Sequence, residues 1–177
     1  MNHRPSPAET TNLPTGTWKL DPAATTVTVA AKKLLLWTIP ATLTVTDGTV
    51  EIDETGKVAG VEVVADAGSY TSKNSKRDEH VVGSDFLHAT EHPTITFRSG
   101  TVAPAIGGHR ADGTVTIKGR TSPIAVTIGD LAIDDTTATF AATTTVDRRA
   151  LGVDKLPALV IGHELQLSVR AAARKME

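Results

Sequence analysis

The sequence predicts an all-β protein: a single antiparallel β-barrel of about eight strands with a short helical connector around residues 75–90. Apolar residues alternate with polar ones in run after run from Trp18 onward. Threonine makes up roughly one residue in six and valine is abundant, and both are stiff at χ1 and suit a pleated, half-buried surface. No helical periodicity is long enough to serve as a βαβ crossover. Strands of roughly eight to ten residues with one apolar face suit one curled sheet better than a sandwich. Closure also removes the edges that invite aggregation.

In chain order, residues 1–16 (MNHRPSPAETTNLPTG) hold three prolines and no apolar h-region. They read as a flexible tail and not as a secretory signal, leaving 17–177 as the barrel domain. Trp18, at a strand start, is expected to plug the barrel base. Val27, Val29 and Ala31 then alternate with Thr26, Thr28 and Ala30. Leu43 and Val45 lead to Asp47-Gly48, and Val50 and Ile52 alternate with Glu51 and Asp53. An Asp-Gly pair between alternating runs is the strongest short-range hairpin signal, so a turn is expected there. Val61, Val63 and Ala65 continue the pattern, followed after the connector by Ile95 and Phe97. Val115 and Ile117 precede a turn at KGRTSP (118–123), then come Ile124, Val126 and Ile128. Asp134-Asp135 turns the chain toward Phe140 and Ala142, and the last strand sets Leu165, Leu167, Val169, Ala171 and Ala173 against polar neighbours.

Composition excludes several functions. A net charge of −2 with a pI near 6.3 gives no basic face for nucleic acid. The absence of cysteine rules out disulfides, thiolate metal sites and a cysteine nucleophile. Aromatics at 3% provide no stacking platform for bases. The run LLLW (34–37) is far too short to span a bilayer, and the chain as written reads as cytoplasmic. An eight-stranded barrel has room for filled side chains or one small ligand. The expected inward-facing set is Val29, Ala31, Leu43, Val63, Phe86, Ile95, Phe97, Val115, Ile117, Val126, Phe140, Leu165 and Leu167.

SKRDEHVVGSDFLHATEHPTITF (75–97) is the densest chemistry in the chain. One reading builds a metal-dependent or hydrolytic site on Asp78, His80, His88 and His92, because histidines four apart share a helical face. Pro93 opposes it by biasing His92 toward an extended conformation, and no G-x-S-x-G elbow is present for a serine nucleophile. The favoured reading is a connector that covers one barrel end, with Ser75 capping a short helix and Asp85 a second turn that plants Phe86 and Leu87 on the barrel. Arg77 and His80 are candidates for the polar end of a bound lipid, since a guanidinium suits phosphate. Arg148 is expected to pair with Asp147 or Asp154. Lys32 and Lys33 beside LLLW suit a membrane-touching lip, a core edge or a dimer contact.

Several segments together resemble the YceI-like polyisoprenoid-binding proteins. They are WKLDPAATTVTV (18–29), DGTVEID (47–53), RDEHVVGSDFLHATEHPTITFRS (77–99), GTVTIKGRTSPIAVTI (113–128) and TVDRRALGV (145–153). The resemblance covers roughly residues 18–173. It implies a lipocalin-like barrel that carries, stores or sequesters a long isoprenoid lipid, such as a polyprenyl phosphate or isoprenoid quinone, without catalysis or a cofactor. Dimers are common among such proteins, so a homodimer is expected; transport, bacterial stress response and transient membrane contact are further expectations for this chain. The chain departs from the family pattern at Lys33, Leu35, Ala41, Leu43 and Leu151, and LPALVIGHEL (156–165) has its own character.

Overall fold

A computed structural model describes residues 13–34, 36–153 and 161–176. Among them are strands β1 Gly16–Leu20, β2 Thr26–Lys33, β3 Trp37–Ile52, β4 Val58–Thr71 and β5 Thr94–Ala105. These are followed by β6 Gly108–Ile117, β7 Arg120–Ile133, β8 Thr137–Asp147 and β9 Ile161–Lys175, and the helix α1 is Ser75–Val82. All pairings are antiparallel, in the order β3-β2-β9-β8-β7-β6-β5-β4, and β4 returns to β3 to close the ring. β1 pairs with both β3 and β9, so it shares one wall position with β2, and the nine strands make an eight-position barrel. The break between them is built by Asp21, whose carboxylate accepts the Ala23 N–H at 3.0 Å, and by Pro22, whose fixed φ starts a 3-10 turn.

The turn expected at Asp47-Gly48 does not form. β3 runs through it as one strand of 16 residues, and its register against β4 shifts between Val45 and Asp47. The β-bulge is Thr46, which bends the strand and tightens the curvature that closure requires, and the Asp47-Gly48 pair itself continues the ladder against Val64 and Val63. Its glycine serves close approach: a Cβ on Gly48 would lie 2.4 Å from Leu20 Cδ1. The hairpin turn falls instead at 53–57, where Asp53 Oδ1 accepts the N–H groups of Thr55 (2.9 Å) and Lys57 (3.1 Å).

The expected tail is also corrected on its inner side. Leu13 N–H donates to Gly56 O at 3.2 Å, the Thr15 hydroxyl donates to Asp53 O at 2.8 Å, and Gly16 already belongs to β1. Its residues 1–12 lie outside the described residues.

Trp18 closes the lower end. It is 2% exposed, donates its indole N–H to Pro14 O at 3.1 Å, and packs with Leu20, Val45 and Ile52. A second apolar cluster of Phe86, Val115, Val146, Leu151 and Val153 lies toward the other end. Between them the wall presents alanines at Ala31, Ala65, Ala111 and Ala142. With 3% aromatics, side chains this small leave the middle of the barrel unfilled. No helix among the described residues is long and apolar enough to cross a membrane.

Trp18→Ala is expected to cost about 3–5 kcal/mol through the cavity left at the base. The check is the denaturant midpoint of unfolding, which falls while the cooperative transition is retained.

Candidate functional site

The unfilled middle is an internal cavity of about 430 Å³, within the usual range for small-molecule sites. Every residue expected to face inward lies on its wall: Val29, Ala31, Leu43, Val63, Phe86, Ile95, Phe97, Val115, Ile117, Val126, Phe140, Leu165 and Leu167. A smaller apolar compartment of about 110 Å³ lies above Trp18 and shares Val61, Ile128 and Phe140 with the main cavity. Sequence reasoning missed Ile39, Tyr70, Ile124, Leu151, Val153 and Ile161, which also line the main cavity. Ile124 was read as part of a strand, and its period was the available signal. Leu151 and Val153 sit in a non-repetitive turn with no period to read.

Polar side chains on the cavity wall gather toward the end covered by the connector: Lys33, Tyr70, Arg77, His80 and Arg148. α1 is fastened to the end of β4. Its cap is Asn74, not Ser75, with Asn74 Oδ1 accepting the Arg77 N–H at 3.1 Å. Asp78 Oδ1 accepts from the Ser72 N–H (2.8 Å) and hydroxyl (2.6 Å), and its Oδ2 accepts from the Thr71 hydroxyl (3.2 Å). These donors, the Ser72 hydroxyl foremost, hold the Asp78 carboxyl below the usual carboxylate range. Arg77 Nε donates to Ser72 Oγ at 2.8 Å. Burial, and then the Asp78 charge, pushes the Tyr70 phenol up.

Beyond α1 the chain folds back, with Leu87 N–H bonded to Val81 O and Ala89 N–H to Val82 O, both at 2.9 Å. This sets Phe86 and Leu87 over the cavity. The His80 ring stands edge-on to Phe86 with centroids 5.0 Å apart. Asp85 is not a cap: its carboxylate faces His80 Nε2 at 3.7 Å.

The metal set Asp78, His80, His88 and His92 is not assembled. Asp78 is committed to Ser72 and Thr71, and His80 to Phe86 and Asp85. His88 and His92 do meet despite Pro93, because the His92 N–H closes one helical turn on His88 O at 2.9 Å before the proline begins. Glu91 joins them, with possible ligand atoms within 4.8 Å of one another. Tetrahedral zinc, with bonds of about 2.0–2.1 Å, needs ligand atoms closer, at roughly 3.3 Å.

The expected Arg148–Asp147 ion pair is also replaced. Arg149 takes Asp147, with Nη2 to Oδ2 at 2.7 Å, and its guanidinium lowers that carboxyl to about 2. Asp154 lies outside the described residues. Arg148 is 2% exposed and donates to the carbonyls of Gly162 (3.1 Å), Val153 (2.8 Å) and Ile161 (2.9 Å). It therefore staples the β8–β9 crossing to the cavity wall.

This is a closed antiparallel barrel with an apolar interior and its polar groups at one end. The sequence profile of the YceI-like domain matches residues 18–173, and the chain belongs to that family. A UPF0312 protein of Pseudomonas aeruginosa is 34% identical over 83 residues, 45% of this chain and 42% of its own length. One from Yersinia pestis is 32% identical over 79 residues, 44% and 41% respectively. The chain thus spans about two-fifths of the length of these curated relatives. Among solved structures, BcnA of Burkholderia cenocepacia superposes with a TM-score of 0.77 at 24% identity, covering 86% of this chain and 98% of that one. The YCEI protein of Campylobacter jejuni gives 0.68 at 19%, with coverages of 82% and 90%. A polyisoprenoid binding domain from Saccharophagus degradans gives 0.67 at 11%, with coverages of 90% and 98%.

Arg148→Met is expected to lower stability by about 2 kcal/mol or more, since it strips partners from buried carbonyls; chemical denaturation measures it. For Asp147, the depressed carboxyl means that its pairing stabilises the fold fully above the ordinary value of 3.8 and is lost as pH falls through about 2. Asp147→Asn should therefore lower the thermal midpoint at pH 7, and the gap from the parent should close between about pH 4 and pH 2.

Proposed function

We propose that the barrel binds the long apolar tail of an isoprenoid lipid, such as a polyprenyl phosphate or isoprenoid quinone, without catalysis. The observation that carries this is an apolar cavity inside a barrel whose base is plugged by Trp18, with polar wall groups gathered at the opposite end. The tail occupies the cavity, and the headgroup sits near Lys33, Tyr70, Arg77 and His80. The name of the Saccharophagus degradans domain, a polyisoprenoid binder of the same fold, supports the ligand class.

The energetics are sufficient. At about 0.3 kcal/mol per heavy atom, every ten carbons of tail taken from water into the cavity contribute about 3 kcal/mol, so the tail supplies affinity without a conspicuous polar site. A lipid taken from a bilayer gains less, because its tail is already out of water. Shape fit and headgroup contacts then decide the exchange, consistent with carriage, storage or sequestration.

Native mass spectrometry of freshly purified protein, followed by organic extraction, should show discrete excess mass that extracts as a prenyl lipid. Ile117→Asp and Leu167→Asp put a carboxylate on the cavity wall and are expected to abolish loading. A parent protein that arrives bare and fails to take up added polyprenyl lipids would refute the reading.

A further inference from the structure

The β2–β3 hairpin stands at the polar end of the barrel and carries features that the fold does not explain. Its sequence is Lys32-Lys33-Leu34-Leu35-Leu36-Trp37. Leu34 is 47% exposed, Leu36 77% and Trp37 58%, and both lysines are exposed. Leu34 adopts φ 51°, the left-handed region that turn chemistry normally fills with glycine or asparagine. Among the described residues, the other large exposed apolar side chains, Ile106, Leu131 and Met176, lie far apart in the chain, which is ordinary for a protein surface.

The hairpin is also continuous with the cavity. Lys33 pairs in register with Trp37 and lines the cavity wall, as does Ile39. Strand alternation puts Trp37 on the same face as Ile39 and Leu43. An indole and an ammonium thus stand at the edge of the opening, with two exposed leucines beside them.

We propose that this hairpin docks the mouth of the barrel onto an anionic lipid bilayer, with Leu34, Leu36 and Trp37 entering the interface and Lys32 and Lys33 facing the headgroups. The chain as a whole carries a net charge of −2, so attraction to an anionic surface has to come from a local basic cluster. Exposed leucines, an amphipathic indole and adjacent lysines are the composition that settles at a bilayer interface. The purpose of docking rests on the lipid-binding reading: it would let a tail pass from bilayer to cavity without crossing water. The docking itself is testable without any isoprenoid.

The probe is vesicles of phosphatidylcholine with about 30% phosphatidylserine, a composition that supplies the anionic surface. Trp37 and Trp18 are the two tryptophans of the chain, and Trp18 is buried at 2% exposure, so Trp37 is the reporter. The expected result is a blue-shifted emission on vesicle addition, co-sedimentation with the vesicles, and at least about tenfold weaker binding in high salt. Leu36→Ser with Trp37→Ser should reduce co-sedimentation at least tenfold, and Lys32→Glu, on an exposed side chain, should do the same if the first variant folds poorly. No co-sedimentation of the parent, or co-sedimentation undiminished in folded variants, overturns the proposal. So does a parent dimer that these substitutions dissolve while vesicles stay unbound, which would assign the patch to a second copy of the chain. Loading of a polyprenyl lipid from detergent is measured in parallel. Variants that load from detergent but miss the vesicles support docking, whereas a parent that docks yet never loads refutes the binding reading and leaves docking standing.

Discussion

Closing eight strand positions into a ring sets the width of the interior before any side chain is chosen. This chain then lines that interior with aliphatic side chains, several of them as small as alanine, and three phenylalanines. The shortage of bulk at mid-height has to be met by voids, by collapse of the wall or by a ligand. The wall does not collapse, since its hydrogen bonds run unbroken around the ring from β3 back through β4. Trp18 supplies the bulk at one end only, and the apolar cavity follows from that asymmetry.

The other end is organised by polar groups that mostly hold one another. Asp78 ties α1 to Ser72 and Thr71, and Arg77 shares the same serine. Arg148 satisfies carbonyls at the β8–β9 crossing, where strand pairing has given way. These bonds position Phe86 and Leu87 over the cavity, and they place a few titratable side chains at its edge instead of in its depth. That distribution is what supports the proposed long amphiphile as ligand. Within the connector, Asp78 is held by Ser72 and Thr71, and Asp85 faces His80.

How far the sequence could be read depended on the range of the interaction. Period-two alternation is local and strict, so Ile117, Leu167 and their neighbours were assigned to the wall from the sequence, and the structure places them there. Asp47-Gly48 misled because a short-range turn signal does not sense the partner strand, and β4 pairs with both residues. Leu20, distant in sequence, packs where a Cβ on Gly48 would be, so the glycine serves close approach and not a turn. Asn74 and Ser75 are adjacent and chemically similar as caps, and backbone geometry alone separates them. Arg148 and Arg149 are likewise adjacent. Burial of the first follows from the path of β9, and only the second is left beside Asp147.

The sequence by itself determined the class of fold, the inward face of each strand and membership in the YceI-like family, because alternation and short motifs act over a few residues. Tertiary structure alone decided the depth of the cavity, the gathering of Tyr70, Arg77 and His80 at one end, and the parting of Asp78 and His80 from His88 and His92. Those outcomes depend on how far apart the ends of a closed sheet are held, a distance to which every strand contributes.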